Sequence, residues 1–354
     1  MFYGELMVYY HKKSLVSISK RVKEGKLMEK IKIGIVGYGN LGKGAEHSIK
    51  EQPDMELVAV FTRRNPAELT ILTSGVPVIS ADDILNYQDK IDVLILCGGS
   101  ATDLPVMSPM LAENFNIIDS YDTHATINDH FNRVNEKALL GKTVAIIGCG
   151  WDPGLFSLNR LYAEAVLPKG DTYTFWGPGL SQGHSDAIRR VTGVKAGVQY
   201  THPIDTAIEA SRRGAGNDLS TRQKHRRECF VVACENANLN EIETTIKNMP
   251  NYFDQYDTTV NFITSEEMEK NHQKMPHGGF VIRSGQTGEN NHQTIEYQLK
   301  LDSNPEFTAA VLVCYARAAY KLSASSQYGA KTPFDVAPGL LSYKTPAKLR
   351  EELL

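Results

Sequence analysis

From residue 30 to about residue 150 the chain alternates short, uniformly apolar runs with longer runs whose apolar residues recur at helical spacing. "IKIGIVG" reads as a strand covered on both faces, and "LGKGAEHSIKEQ" as the helix that follows it. "MELVAVFTR" is a second strand, "SADDILNYQ" a short helix with Ser80 as N-cap, and "IDVLILCGG" another apolar strand ending in glycine. A proline-marked helix near 104–114, a strand "NIIDSYD", a helix near 128–140 and a strand "KTVAIIGCG" complete the repetition. Such alternation predicts an α/β fold: a Rossmann-type, doubly wound parallel sheet with ligands outside the C-terminal ends of its strands.

The pattern changes after Gly150. "DPGLFSLNRLYAEAVL" reads as a helix with Asp152 as N-cap and Pro153 in its first position. "RECFVVACE", "TTVNFIT", "GGFVIRSGQ" and "HQTIEYQLKLD" alternate with period two and predict an antiparallel α+β domain. "EFTAAVLVCYARAAYKL", residues 306–322, is an alanine-rich apolar helix long enough to return to the first domain. The expected organisation is a first domain over 28–150, a second over 151–304 and a C-terminal return over 305–354. Residues 1–27 are basic, have few acids and precede a second methionine, Met28. They are expected to be a disordered or non-native extension outside the fold, a targeting peptide being the other reading.

Composition adds little to this picture but excludes several classes. An apolar content of 42% is enough for real cores, and a net charge of −3 offers no general attraction for nucleic acid or a membrane surface. No apolar run approaches the roughly 18 residues of a spanning helix. Five scattered cysteines without a C-x-x-C pair fit free thiols in a reducing compartment, so a cytoplasmic location is expected.

The candidate chemistry starts at "GYGNLG", where Gly37, Gly39 and Gly42 have the spacing G-x-G-x-x-G between a strand and a helix. The first glycine permits a tight turn, the second lets the backbone approach a pyrophosphate, and the third lets helix and strand pack closely. Arg63 and Arg64 end the next strand, where an NAD-binding unit ordinarily carries an acid for the ribose hydroxyl. A guanidinium pair there suits the 2′-phosphate of NADP instead, with Thr62 adding a hydroxyl. "GCGWDPG" is a decoy as a second phosphate loop: its spacing is wrong, Pro153 lacks an N–H, and Asp152 brings negative charge. Trp151 is nonetheless a large side chain at a strand's C-terminal end.

Other positions stay open on the residues alone. Asp122 follows a strand and reads equally as a crevice residue or as a local cap. The stretch 175–190, with Trp176, Ser181, Gln182 and His184 among glycine and proline, is a surface connection or a substrate wall. Arg227 belongs to a basic run that is a solvated face, or it is held by the strand after it to bind a carboxylate. His277 falls in "MPHGG", which reads as a flexible turn, and neither it nor His225, His272 and His292 has metal-ligand spacing.

Taken in order, "GIVGYGNLG", "FTRR", "SATDLP", "YDTH", "GWDPGLFSLNR", "TFWGPGLSQGHSDAIRR", "QKHRRECFVV", "MPHGG" and "LKLDSNPEFTA" resemble the NADP-dependent meso-diaminopimelate dehydrogenases. The resemblance runs from about residue 31 to the end of the chain. It implies a homodimer with a dinucleotide domain and a substrate and dimerisation domain. It also implies oxidative deamination of the D-centre of meso-2,6-diaminopimelate to ammonia and L-2-amino-6-oxopimelate, which cyclises to tetrahydrodipicolinate, in lysine biosynthesis. Substrate contacts are implied at Asp122, Trp151, Asp152, Trp176, Gln182, Gly183, Thr201, Arg227, His277 and Asn304, with Asp122 and Asp152 nearest the chemistry. NADP contacts are implied at Gly37, Tyr38, Gly39, Asn40, Leu41, Gly42, Thr62, Arg63 and Arg64, and at Cys97, Gly98, Ser100, Ala101, Thr102, Tyr121 and Asp122. No metal is implied. The alternatives are another NAD(P)-dependent dehydrogenase or reductase of this architecture, or a non-catalytic NADPH-binding sensor.

Overall fold

A computed structural model describes residues 29–354. The readings made for residues 1–27 and Met28 lie outside the described residues. The chain forms two units, one from the described residues through Gly154 together with Thr308–Leu354, the other from Leu155–Phe307.

The first unit is built on β1 (Ile31–Val36), α1 (Asn40–Lys50), β2 (Met55–Thr62), β3 (Val78–Ser80), β4 (Val93–Leu96), α2 (Leu104–Ala112), β5 (Asn116–Ile118), α3 (Ile127–Gly141) and β6 (Val144–Ile146). Its sheet has the order β14-β6-β5-β4-β1-β2-β3, where β14 is Gly329–Lys331 near the C-terminus. All neighbouring strands are parallel, the doubly wound topology expected from the alternation. The strands are short and almost wholly apolar because both faces are covered; all four residues of β4 are buried. The run "SADDILNYQ" is a 3-10 helix, Ala81–Tyr87, and Ser80 does cap it by accepting the Asp82 amide. β5 stops at Ile118, so "DSYD" is loop, not strand.

In the second unit, α4 (Leu155–Val166) leads to β7 (Gly170–Trp176), β8 (Gly179–Leu180), α5 (Gln182–Arg189), β9 (Val194–Pro203) and α6 (Asp205–Arg212). Then come β10 (His225–Ala233), α7 (Leu239–Lys247), β11 (Asp257–Phe262), α8 (Ser265–Asn271), β12 (His277–Thr287) and β13 (Asn291–Leu301). The strands make a four-stranded sheet, β11-β10-β9-β8, and a three-stranded one, β13-β12-β7. The expectation of a purely antiparallel domain fails at one place: β10 and β11 are parallel. Helix α7 is the crossover that lets the chain re-enter in the same direction, burying Ile242 and Ile246 against Cys229 and Val231 of β10.

Asp152 is not the N-cap of α4, and Pro153 is not its first residue. Trp151 and Gly154 pair as a small antiparallel bridge, Asp152–Pro153 is cis, and Gly154 has φ +126°. A Cβ on Gly154 would lie 2.0 Å from the Gly150 carbonyl oxygen, so the chain turns tightly here and helical geometry begins at Leu155. Similarly, His277 is the first residue of β12, paired with Leu301, and not part of a flexible turn. Its two following glycines serve close packing: a Cβ at Gly278 or Gly279 would meet the Leu299 or Phe175 carbonyl oxygen at 2.2 Å. Helix α9 (Asn304–Ala324) begins in the second unit and continues into the first from Thr308.

Candidate functional site

In the first unit the candidate residues gather at the C-terminal ends of β1, β2, β4, β5 and β6. Gly37 has φ +91°, and its amide donates to the Phe61 carbonyl at 2.8 Å, which ties the glycine turn to β2. Gly39 precedes α1, and a Cβ there would meet nothing within 4 Å among the described residues. Gly42 differs sharply: a Cβ would stand 2.3 Å from the Gly37 carbonyl oxygen. Asn40, Leu41 and Gly42 form the first turn of α1, whose amides and dipole favour an anion. The residues therefore fit a pyrophosphate at the open face of Gly39.

Tyr38 is locked behind this turn. Its hydroxyl donates to Glu46, a fully buried carboxylate that also accepts the Leu72 amide at 3.2 Å and the Thr73 amide. Burial, then Glu46, pushes the Tyr38 phenol up to about 12.

The arginine pair lies beside the same turn. Arg64 Nη2 donates to the Tyr38 carbonyl at 2.6 Å, and the Arg64 amide donates to Thr62 Oγ1 at 3.1 Å. Arg63 makes a two-point ion pair with Asp103, which also accepts the Gly99 amide at 2.8 Å. Asp103 was not legible as a site residue, because its partner is 40 residues earlier. Cys97 and Gly98 continue from β4, and burial raises the Cys97 thiol to about 12, leaving it uncharged. Ser100, Ala101 and Thr102 form the turn before α2. Ser100 Oγ donates to Asp122 Oδ1 and accepts the Asp122 amide at 2.9 Å. Tyr121, next to it, stacks on His130 at 3.9 Å between ring centroids and 11° between planes. Trp151 and Asp152 sit in the tight turn after β6. Asp122 and Asp152 are thus carried by loops at the ends of adjacent strands, β5 and β6.

The second unit holds the other set. Alternation along β10 sends Arg226 to solvent and buries Arg227 on the face shared with His225 and Cys229. Thr201 lies directly opposite Arg227 on β9 and accepts from Arg227 Nη1. The guanidinium carbon stands 3.9 Å from the centroid of Tyr256, a cation–π contact between remote sequence positions. Arg227 Nε is buried and has no hydrogen-bond partner among the described residues. A buried guanidinium with a donor to spare suits a carboxylate.

Trp176 ends β7, and its amide donates to His225 Nε2 at 3.1 Å while the two rings stack. His225 is consequently a neutral acceptor, and its pKa is brought down to about 4, first by burial and then by Arg227. The glycine-rich stretch 175–190 is therefore mostly ordered: the end of β7, β8 and α5. Gln182 and Gly183 open α5, and a Cβ at Gly183 would meet nothing within 4 Å among the described residues. Gln182 approaches Met275 at 3.4 Å. Asn304 starts α9, with its amide donating to the Met275 carbonyl at 2.8 Å, and His277 starts β12 two residues later than Met275. Tyr256 carried no motif signal, and only the folded chain brings its loop over Arg227, whereas His225 lies two residues before Arg227 on the same face of β10.

The model of the diaminopimelic acid dehydrogenase C-terminal domain matches residues 150–303. The meso-diaminopimelate D-dehydrogenase of Ureibacillus thermosphaericus is 62% identical over 327 residues, which is 92% of this chain and 100% of the relative. The solved structure of the C. glutamicum DAP dehydrogenase in complex with DAP is 46% identical, with a TM-score of 0.86 over 92% of this chain and 100% of that one. An engineered D-amino acid dehydrogenase bound to NADP+ matches with a TM-score of 0.81 at 45% identity, over 92% and 100% of the two chains.

Proposed function

This chain belongs to the meso-diaminopimelate D-dehydrogenase family, and from that premise we propose that it oxidatively deaminates the D-centre of meso-2,6-diaminopimelate. The products are ammonia and L-2-amino-6-oxopimelate. NADP is the cofactor, and when bound it supplies the hydride acceptor.

The Gly37–Gly42 turn and the α1 N-terminus would hold the pyrophosphate, and Arg63, Arg64 and Thr62 the 2′-phosphate. Ser100, Ala101 and Thr102 would line the cofactor on the β4 side. In the first unit, Asp122 and Asp152 hold the reacting ammonium, and a carboxylate there accepts the proton the nitrogen must lose to become an imine. Trp151 would line the substrate on the same side. In the second unit, Arg227, Thr201, His277 and Asn304 bind the carboxylate of the L-centre, with Trp176, Gln182 and Gly183 completing the wall. Because the two ends of the substrate differ only in configuration, this distal grip decides which Cα reacts. The active form is a cytoplasmic homodimer in which residues 151–304 supply substrate binding and dimerisation. No helix among the described residues is long and apolar enough to cross a membrane.

The observation that carries this reading is the buried Arg227, gripped by Thr201 and Tyr256 and retaining a donor without a partner among the described residues. A sensor that only bound NADPH would have no use for it. The test is an assay with NADP and meso-diaminopimelate, read at the reduced-nicotinamide absorbance band. Cofactor binding without turnover would support the sensor instead, and turnover of a different substrate class another dehydrogenase.

A further inference from the structure

We propose that Asp119, which lies outside both sets of site residues, is the positioning residue that sets the two carboxylate-bearing loops of the first unit relative to one another. The inference rests on the reading of Asp122 and Asp152 as groups that hold the reacting ammonium.

Asp119 is the first residue after β5 and is completely buried. A buried carboxylate is costly unless several donors surround it, and here four do. Oδ1 accepts the Tyr121 amide at 3.1 Å and the Gly148 amide at 3.0 Å. Oδ2 accepts the Ser108 hydroxyl at 2.6 Å and is 2.9 Å from His130 Nε2. Its backbone adds two links to β6 and its loop: the Asp119 amide donates to Ile146 at 3.1 Å, and its carbonyl accepts from Cys149 at 2.9 Å.

One oxygen therefore binds the loop that carries Tyr121 and Asp122 and the loop that leads to Trp151 and Asp152. Both loops leave the sheet after only three residues of strand, so ladder bonds alone fix little of their course. The other oxygen is held by helices α2 and α3, the more rigid elements. His130 adds a second restraint, because its ring is the platform on which Tyr121 stacks. Among the described residues its Nδ1 is buried without a partner, and the ring's one hydrogen bond there is the one to Asp119. The arrangement transmits the position of two helices to two loops through a single carboxylate.

Asp119→Asn keeps the shape but replaces one acceptor oxygen with a donor, which cannot serve Tyr121 and Gly148, or Ser108 and His130, as before. The expected result is a fall in kcat on meso-diaminopimelate of about tenfold or more, with the NADP Kd within about twofold of wild type. Ser108→Ala and His130→Gln are milder: His130→Gln retains a donor and should keep kcat within about threefold, whereas His130→Phe keeps the stack but loses the bond and should reproduce part of the defect. These variants decide the matter if Asp119→Asn does not fold. Independently of any activity, amide exchange in segments 119–126 and 146–152 should quicken together in Asp119→Asn or His130→Phe, while the glycine turn at 37–42 stays as in wild type. That exchange arm stands even if wild type fails to turn over this substrate, an outcome that would count against the proposed function and not against Asp119. A wild-type kcat in both variants, or exchange that rises equally at the glycine turn, would overturn the proposal.

Discussion

Arg63 and Asp103 form a two-point ion pair, Nη1 to Oδ1 at 2.9 Å and Nη2 to Oδ2 at 3.0 Å, that joins the end of β2 to the start of α2. The Gly99 amide, followed by Arg63, holds the Asp103 carboxyl below its ordinary range. The Arg63 side chain is 71% exposed, so the pair contributes no more than about 1 kcal/mol. A phosphate dianion can recruit this arginine at small cost.

Replacing Arg63 or Arg64 with alanine should therefore weaken NADP about tenfold or more each, since a charge-assisted hydrogen bond contributes roughly 1.5–3 kcal/mol. NAD should be much less affected. Asp103→Asn removes the competing anion and should tighten NADP by about twofold to fivefold. Titration of both cofactors against each variant checks this, and equal wild-type affinity for NAD and NADP would remove its basis.

Gly39 and Gly42 should separate binding from stability. Gly39→Ala places a methyl in open space at φ −91°, so the melting temperature should hold or rise slightly. The same methyl occupies the face offered to the pyrophosphate, and NADP affinity should drop by about tenfold or more. Gly42→Ala forces a Cβ to 2.3 Å from a backbone oxygen and should lower both. Thermal melts with and without NADP distinguish the two.

Arg227→Ala should cost about 2–4 kcal/mol in kcat/KM on meso-diaminopimelate, because the distal carboxylate loses its fork in a partly dehydrated setting. Arg227→Lys should recover only part of this, since an ammonium matches neither the fork nor the stack on Tyr256. NADP affinity should not change. Small D-amino acids, which have no distal carboxylate, should be poor substrates of the wild type and lose little further in the variant.

His184 and His225 predict an acid limb in stability. Burial, then the Arg227 charge, lowers both from 6.5 to about 4, and Lys224 adds to this at His225. The unfolded chain takes up their protons first, so their stabilising contribution is complete above pH 6.5 and is lost as the pH falls towards 4. In that window each histidine should cost about 1.4 kcal/mol per pH unit. His225→Gln, which still accepts the Trp176 amide, should make the decline shallower. A melting temperature that is flat from pH 7 to 4.5 would contradict the assignment.

Sequence alone determined the parallel sheet, because strands covered on both faces must be apolar throughout and their crossovers must be helical. It also placed the glycine turn and the arginine pair, since both sit within a few residues of the strand ends that position them. Trp176 and Arg227 could be singled out as residues, but not their settings. Whether Arg227 was solvated or buried depended on the pairing of β10 with β9, which put Thr201 opposite it, and on a loop that brought Tyr256 over it. Asp152 looked like a helix cap because local propensity favours aspartate before proline and a helix. The close approach of Gly154 to Gly150 overrode that preference and moved the start of the helix to Leu155. The parallel pairing of β10 and β11 was invisible for a related reason: period-two alternation reports which face a residue occupies, not the direction in which its neighbour runs. Asp119, Asp103 and Glu46 read as ordinary acids in the sequence. Only the folded chain gathers donors 2 to 40 residues away around each of them, and that gathering is what gives a carboxylate its role.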